Sequence, residues 1–522
     1  MPRAFRCRWA SSKTCCEETQ KIENLFAALD LFLNVENFLA VGLGVLIGTI
    51  IGAIPGMTTP MGVTLVLPFT FSLPPVTGIL LLLGVYKGGL YGGSLTAILI
   101  KMPGTPAASC TILDGYPLAQ KGEARKALDI ALYSSCVADM ISNIALILFA
   151  GVLASFALRF GPPEFFTLIV FSLTIIAGVA GPSLTKGILS ACLGLMLATV
   201  GLDLIYGTDR FIFGNFELMS GLNFIPVLIG LFALPEIIHR STRLPRFGAA
   251  QRSSLGHGAS FAEFRKTLKS VIRGSVIGVI LGAIPGIGGA PAAYLSYSEA
   301  RRNSPNKDNF GKGEPEGVAA AEAGNNGVAG ATMIPLLALG VPGDVITAVI
   351  LGAFMIHGLR PGPILFEQNL PMIYALFMGI LLSSAYLFGI GKIAIRVFSR
   401  VALVPNRILY PIVFVLCVYG AYAVNNNLFD ILVMLCMGVV GYMMLRLEIP
   451  VAPFLIAFVL GPLLADNFRQ SLLLSDGDLM IFLRNTICIA FWVLTALSVF
   501  VLIPSRIQAS RTGQASTLTT GG

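Results

Sequence analysis

The chain has 522 residues, 55% of them hydrophobic and only 12% charged, with a mean hydropathy of +0.82. Soluble domains carry about 25% charged residues, so a water-facing globule of this length is excluded. The net charge of +8 does not point to nucleic acid, because the basic residues sit in short stretches between apolar spans, as the positive-inside rule expects of a membrane protein.

In chain order, residues 1–22 are basic and polar, lack the apolar middle region of a signal peptide and read as a disordered leader. Long uncharged runs follow at 38–54, 63–82, 141–158, 223–235, 371–391, 408–429 and 485–504. Such runs are candidate membrane helices, and together with shorter or Gly/Pro-interrupted stretches they predict roughly 10 to 13 membrane-inserted segments. The tail 504–522 is polar, rich in small residues and predicted to be disordered. The nine cysteines show neither metal-ligand spacing nor a disulfide framework and read as small buried hydrophobes.

The chain repeats itself. Residues 48–56 read GTIIGAIPG and residues 278–286 read GVILGAIPG, identical at seven of nine positions. Downstream, GGLYGGSLTAILIKMPGT (88–105) aligns with GVAGATMIPLLALGVPGD (327–344), so that Pro103-Gly104 matches Pro342-Gly343. Two halves with helices broken at matching positions are a signature of secondary transporters. Pro removes a backbone donor and Gly tolerates unusual dihedrals. Backbone freed at membrane depth persists only where it is buried or lines a wet cavity. Free N–H groups at a helix start suit a carboxylate. The alternative at each site is an ordinary turn at a span end. The spacings Gly44/Gly48/Gly52 and Gly278/Gly282/Gly286 read as close helix packing.

These patterns predict an all-α integral membrane protein with a first repeat over 36–239, a linker over 240–273, a second repeat over 274–465 and C-terminal membrane segments over 466–503. The linker holds Arg240, Arg243, Arg246, Arg252, Arg265, Lys266, Lys269 and Arg273, which places it on the cytoplasmic side. The stretch 23–37 holds acids and no Lys or Arg. The loop with Lys121, Arg125 and Lys126 is more basic than its counterpart near 358–363, which holds only Arg360. This opposite bias suggests inverted repeats, although the basic leader argues the other way.

The runs IPGMTTPMG, YGGSLTAILIKMPGTPAAS and LDGYPLAQKGEARKAL in the first half, with IPGIGGAPAAYLSY, FGKGEPEGVAAAEAGNNGVAGATMIPLLALGVPGD and IHGLRPGPILF in the second, resemble the large membrane subunit of the tripartite tricarboxylate transporters, the TctA family. The resemblance runs from about residue 36 to residue 465. It implies a cation-coupled symporter of the bacterial inner membrane. It also implies a small membrane subunit (TctB-like) and a periplasmic solute-binding protein (TctC-like) that delivers citrate or another organic carboxylate. The implied fold has two repeats, each with a re-entrant hairpin (87–105 and 323–344), and an elevator-like movement. Lys87 departs from the small or apolar residue usual in the family, as does the first loop, Pro55-Gly56-Met57-Thr58-Thr59-Pro60.

Candidate substrate ligands are Lys87, Gly88, Gly89, Ser94, Thr96, Asn325, Asn326 and Gly343. The amides of Asn325 and Asn326 suit Na⁺ or a carboxylate, against plain helix capping. Lys87 could neutralise a substrate carboxylate, or it could pair with an acid or snorkel; Lys101 raises the same question. The hydroxyls of Ser94, Thr96, Thr58 and Thr59 could face freed backbone or bond back to their own helices. Candidate cation-coupling groups are Thr58, Thr59, Glu322, Asn325 and Asp344, because a carboxylate in a membrane segment is costly and usually functional. For Asp344, N-capping is the competing reading. Pro55, Gly56, Pro103, Gly104, Pro285, Gly286 and Pro342 are the predicted hinge and loop residues. Asp114 reads as a loop or capping residue rather than a ligand, and His357 as a weak candidate proton site.

The sequence contains no phosphate-binding loop of the GxxxxGK[ST] type, no HExxH and no GxSxG. ATP-driven transport and an intramembrane enzyme are therefore disfavoured, no cofactor is expected, and no metal is expected other than a transported Na⁺. A carrier that works without a binding protein is the nearest alternative.

Overall fold

The computed structural model describes residues 13–54, 57–179, 183–203, 205, 207–241, 257–398 and 406–511. Its first half runs α1 (Lys13–Phe32), α2 (Val35–Gly52), α3 (Thr59–Val66), α4 (Pro75–Ile100), α5 (Ala108–Leu118), α6 (Ala124–Ala157), α7 (Pro162–Val179), α8 (Leu184–Ala198) and α9 (Phe224–Ser241). The second half runs α10 (Phe261–Gly282), α11 (Gly289–Asn303), α12 (Pro315–Ala331), α13 (Met333–Leu339), α14 (Val345–Ile356), α15 (Pro363–Gln368), α16 (Leu370–Phe398), α17 (Asn406–Ala423), α18 (Leu428–Arg446) and α19 (Val451–Leu474). A short α20 (Ile481–Arg484) and α21 (Thr486–Arg511) close the chain, and a two-stranded ribbon, β1 (Gly201–Leu202) with antiparallel β2 (Asp209–Arg210), lies between α8 and α9.

The chain is an all-α membrane protein. Among the described residues, seven helical stretches are long and apolar enough to cross a bilayer, and six shorter apolar helices accompany them. The two faces of α2 show why. Leu39, Leu43, Leu46 and Ile50 are exposed, while Gly44, Gly48 and Gly52 are buried on the other side. A stripe of exposed leucines is costly in water and neutral in lipid. In α6, Met140, Ile144, Leu148 and Val152 form a similar outward stripe, and Ser135, Asp139, Ser142 and Asn143 are turned inward.

Lipid gives apolar helices no hydrophobic reason to associate, so close backbone packing must hold them. A Cβ added to Gly48 would lie 2.2 Å from the Val85 carbonyl oxygen, and one added to Gly88 would lie 2.2 Å from that of Val45. Helices α2 and α4 therefore touch backbone to backbone. In the second half, a Cβ on Gly278 would lie 2.7 Å from the Gly324 carbonyl oxygen and 2.9 Å from Gly327 Cα, and one on Gly282 would lie 2.9 Å from Ala331 Cβ. Helices α10 and α12 use the same device, so the glycine spacings are packing features, as their pattern predicted.

Several boundaries differ from the sequence reading. Helix α1 begins inside the stretch read as a disordered leader, and residues 1–12 lie outside the described residues. Helix α21 continues to Arg511, into the stretch read as a tail, of which 512–522 lie outside the described residues. The uncharged run 63–82 is not one span. Pro68, Pro74 and Pro75 break it into α3, a 3₁₀ turn (Leu67–Ser72) and the start of α4. The cysteines are only partly buried hydrophobes: Cys110, Cys417 and Cys488 are buried, whereas Cys192 and Cys436 face outward.

The chain breaks also move. Lys87, Gly88 and Gly89 open no hairpin, because they lie inside the unbroken 26-residue α4. That helix ends at Lys101, which caps it in the left-handed region (φ 59°). Range 87–105 is therefore the second half of α4 plus the turn that leads to α5. Range 323–344 contains the end of α12, all of α13 and a turn that starts at Gly340 (φ 71°) and leads to α14.

Candidate functional site

Glu322 lies on α12 with 0% exposure and reaches three helices of the first half. Its Oε1 accepts from Ser94 Oγ on α4 at 2.6 Å and from Thr111 Oγ1 on α5 at 2.5 Å. Its Oε2 accepts from Ser135 Oγ on α6 at 3.0 Å and from Asn326 Nδ2 at 3.4 Å. Four helices thus supply donors to one acid. The described residues place no Lys, Arg or His in hydrogen-bond contact with it, so the group is solvated by neutral dipoles alone. A buried carboxyl in this setting is one that can hold a proton or a small cation.

Asn326 Nδ2 also donates to Ser135 Oγ at 2.8 Å and to its own helix at Glu322 O, 3.1 Å. It serves the Glu322 cluster. Asn325, one position on, points elsewhere. It is 1% exposed, and neither its Oδ1 nor its Nδ2 has a hydrogen-bond partner. Buried amides are almost always satisfied, so this one is an exception that requires an explanation. A Cβ added to Gly289 would lie 2.7 Å from Asn325 Oδ1 and 3.6 Å from Ala107 Cβ. The amide oxygen therefore faces Gly289, the first residue of α11.

That start of α11 is uncapped. Its N-cap is Gly288 (φ 67°), which has no side chain to accept a bond, and no described group accepts from the backbone N–H of Gly288, Gly289 or Ala290. The preceding loop is tied to the turn after α13 by Gly286 N–H donating to Gly343 O at 2.7 Å. A Cβ on Gly288 would lie 3.8 Å from Asp344 Cβ. The loop with Pro285 and Gly286 is thus joined to the turn with Pro342 and Gly343, and it leads to Gly289, which neighbours both Asn325 and Ala107 of the turn after Pro103 and Gly104. Pro55 and Gly56 lie outside the described residues.

Asp344 is foremost a cap. Its Oδ1 accepts from Thr347 N at 2.7 Å at the head of α14. Its Oδ2 accepts from Tyr86 OH on α4 at 3.0 Å, which joins the cap to the first half. Thr59 is 1% exposed with an unpartnered Oγ1 beside Gly89. Thr58 is the N-cap residue of α3 and makes no side-chain capping bond. Thr96 bonds back to Gly93 O at 3.3 Å, and Gly88 is a helix-packing residue. Lys101 is exposed, with its ammonium 5.9 Å from the Tyr116 ring, away from the cluster.

Lys87 is not free to meet a substrate. Its Nζ donates to Asp139 Oδ2 at 3.0 Å, Asn143 Oδ1 at 2.9 Å and Ile380 O at 3.1 Å. Asp139 Oδ2 also accepts from Ser384 Oγ at 2.5 Å. The ammonium has three donors, and all three are engaged between α6 and α16. Asp114 is likewise structural. Its Oδ1 accepts from the backbone N–H of Gly311, Gly313 and Glu314, each at 2.8 Å, and its Oδ2 accepts from Tyr297 OH at 2.8 Å. His357 is half-buried with an unpartnered Nε2 beside Gly78 and touches none of these groups.

Sequence reasoning missed Thr111, Ser135, Asp139, Asn143 and Tyr86. The α6 residues did leave a signal. Ser135, Asp139, Ser142 and Asn143 recur at helical spacing beside an uncharged run, which marks an inward polar face. An apolar cavity of about 320 Å³ lined by Tyr133, Cys136, Val137, Phe261, Phe264 and Phe388 shares no residue with the Glu322 and Asn325 groups.

Glu322 with its ring of hydroxyls and the unpartnered Asn325 amide beside the uncapped start of α11 are thus buried polar groups inside an apolar helical protein. The profile of the tripartite tricarboxylate transporter TctA family matches residues 38–456. The chain belongs to the TctA family. It is 36% identical over 485 residues, 93% of this chain and 97% of the relative, to an uncharacterised 52.8 kDa protein in the TAR-I ttuC' 3' region of Agrobacterium vitis. It is 33% identical over 234 residues, 45% of this chain and 97% of the relative, to an uncharacterised protein in the TAR-II ttuC' 3' region of the same organism. No solved structure matches. The family is one of transporters, not of enzymes, and its assemblies are tripartite. The chain is accordingly a multi-pass membrane transporter protein.

Proposed function

We propose that this chain is the large transmembrane subunit of a binding-protein-dependent secondary transporter that carries tricarboxylates such as citrate, or related organic carboxylates, by Na⁺ or H⁺ symport. Its partners are a small TctB-like membrane subunit and a periplasmic TctC-like solute-binding protein, and its place is the bacterial inner membrane with the 240–273 linker on the cytoplasmic side.

The observation that carries this reading is the Asn325 amide, buried and unpartnered beside the uncapped start of α11. A helix start with free N–H groups is an anion site, and the amide adds a donor. A carboxylate bound there would satisfy groups that the protein leaves bare. Glu322 supplies the coupling function. It gains a proton or cation from one side and returns it on the other, held meanwhile by Ser94, Thr111, Ser135 and Asn326. Asp344, close to the same helix start, is the second coupling candidate.

The glycine-packed pairs α2/α4 and α10/α12 support a reading of two inverted repeats, 36–239 and 274–465, whose turns meet at the site. One bundle then carries the loaded site across the bilayer in an elevator-like step.

The test is uptake of radiolabelled citrate into proteoliposomes that hold this chain and its small partner, with and without binding protein, under an inward Na⁺ or H⁺ gradient. Uptake that needs the binding protein and one gradient is the expected result. Uptake without the binding protein establishes a carrier that works alone, and failure across a panel of carboxylates overturns the reading.

A further inference from the structure

The Asn325 amide is unpartnered on both sides. One oxygen and one NH₂ lie buried, and whichever way the amide is turned, one acceptor and one donor remain open. A bare carboxylate answers only the donor. It takes a hydrogen bond from Nδ2 and from the α11 backbone N–H groups, and it leaves Oδ1 without a partner. Leaving a buried acceptor bare is costly.

The space in front of Oδ1 is held open by Gly289, where a side chain would stand 2.7 Å from that oxygen. A hydroxyl on the carbon next to the carboxylate would reach it. Its O–H donates to Oδ1 while the carboxylate accepts from Nδ2 and from the N–H groups of Gly289 and Ala290. Both halves of the amide are then satisfied by one ligand fragment.

We propose that Asn325 is a specificity-determining residue that selects 2-hydroxy carboxylates over the same acids without the hydroxyl. This deepens the carboxylate-transport reading above and rests on it.

The test uses the full chain with its small partner in lipid nanodiscs, without binding protein, in a buffer with choline in place of Na⁺. Apparent Kd is read from ligand-dependent unfolding temperature for matched pairs: citrate against tricarballylate, and malate against succinate. The hydroxy member of at least one pair is expected to bind about tenfold or more tightly, the usual effect of leaving one buried polar group unpaired. In Asn325→Leu that ratio falls to about one, and in Asn325→Ser, which keeps a donor and an acceptor, part of it returns. Equal binding of both members in the unaltered protein overturns the proposal, as does a ratio that survives in Asn325→Leu. Discrimination that vanishes when Na⁺ is added also overturns it, and assigns Oδ1 to the cation. If no acid of either pair binds in choline or after Na⁺ is added, the carboxylate-transport reading itself fails, which is a different outcome from binding without discrimination.

Discussion

The ammonium of Lys87 lies 3.0 Å from both carboxylate oxygens of Asp139, and neither side chain is more than 2% exposed. Fifty-two positions separate the two in sequence. This pair converts the one cation inside the Gly-rich α4 from a substrate ligand into a brace between α4, α6 and α16. Removing one partner of a buried pair strands the other charge, at a cost of about 3–5 kcal/mol, whereas apolar replacement of both is often neutral. Lys87→Met is therefore expected to lower the unfolding temperature sharply, and Lys87→Met with Asp139→Leu to recover most of the loss. Apparent Kd for the transported acid should be unchanged in the double variant. A large rise in Kd there returns Lys87 to the substrate site.

Glu322 is surrounded by neutral donors from four helices. Glu322→Gln keeps the size of the side chain and removes its ability to exchange a proton or hold a cation. The expected phenotype is protein that inserts and unfolds like the unaltered chain yet loses gradient-driven accumulation down to the level of empty liposomes, as for a membrane carboxylate with a functional role. Substrate counterflow, which needs no net ion movement, should persist. Accumulation at the original level removes Glu322 from the coupling step.

Asp114 gathers three backbone N–H groups on one oxygen. Hydrogen bonds to charged groups contribute about 1.5–3 kcal/mol each. Asp114→Ala is expected to destabilise the loop 311–314 locally. Amide exchange at Gly311, Gly313 and Glu314 should accelerate by about tenfold or more, with substrate discrimination intact. Unchanged exchange at those three amides contradicts the brace.

The glycine contacts separate helix packing from helix propensity. Gly48→Ala sets a methyl 2.2 Å from a backbone carbonyl oxygen of α4, which a rigid neighbour cannot accommodate, so loss of monodisperse protein is expected. Gly151→Ala meets nothing within 4 Å and should stabilise by about 0.5–1 kcal/mol through helix propensity alone. Equal behaviour of the two variants in a detergent-stability assay would refute the backbone contact between α2 and α4.

The sequence by itself determined the class of this protein. Too few charges to cover a globule and apolar runs of bilayer length sufficed for a membrane protein, because those properties are local and additive along the chain, and the long ordered motif runs around its Pro-Gly pairs carried the resemblance to its family. It also marked Asn325, Asn326, Glu322 and Ser94, since polar groups inside apolar stretches are conspicuous in one dimension. Only the tertiary structure decided what each of them faces. Lys87 looked unpaired until α6 brought Asp139 to it. Asn325 and Asn326 looked alike until helical geometry turned one toward Ser135 and left the other bare beside Gly289. Adjacent residues on a helix point about 100° apart, and their partners lie on other helices far off in sequence, so pairing is a property of packing that no local pattern encodes.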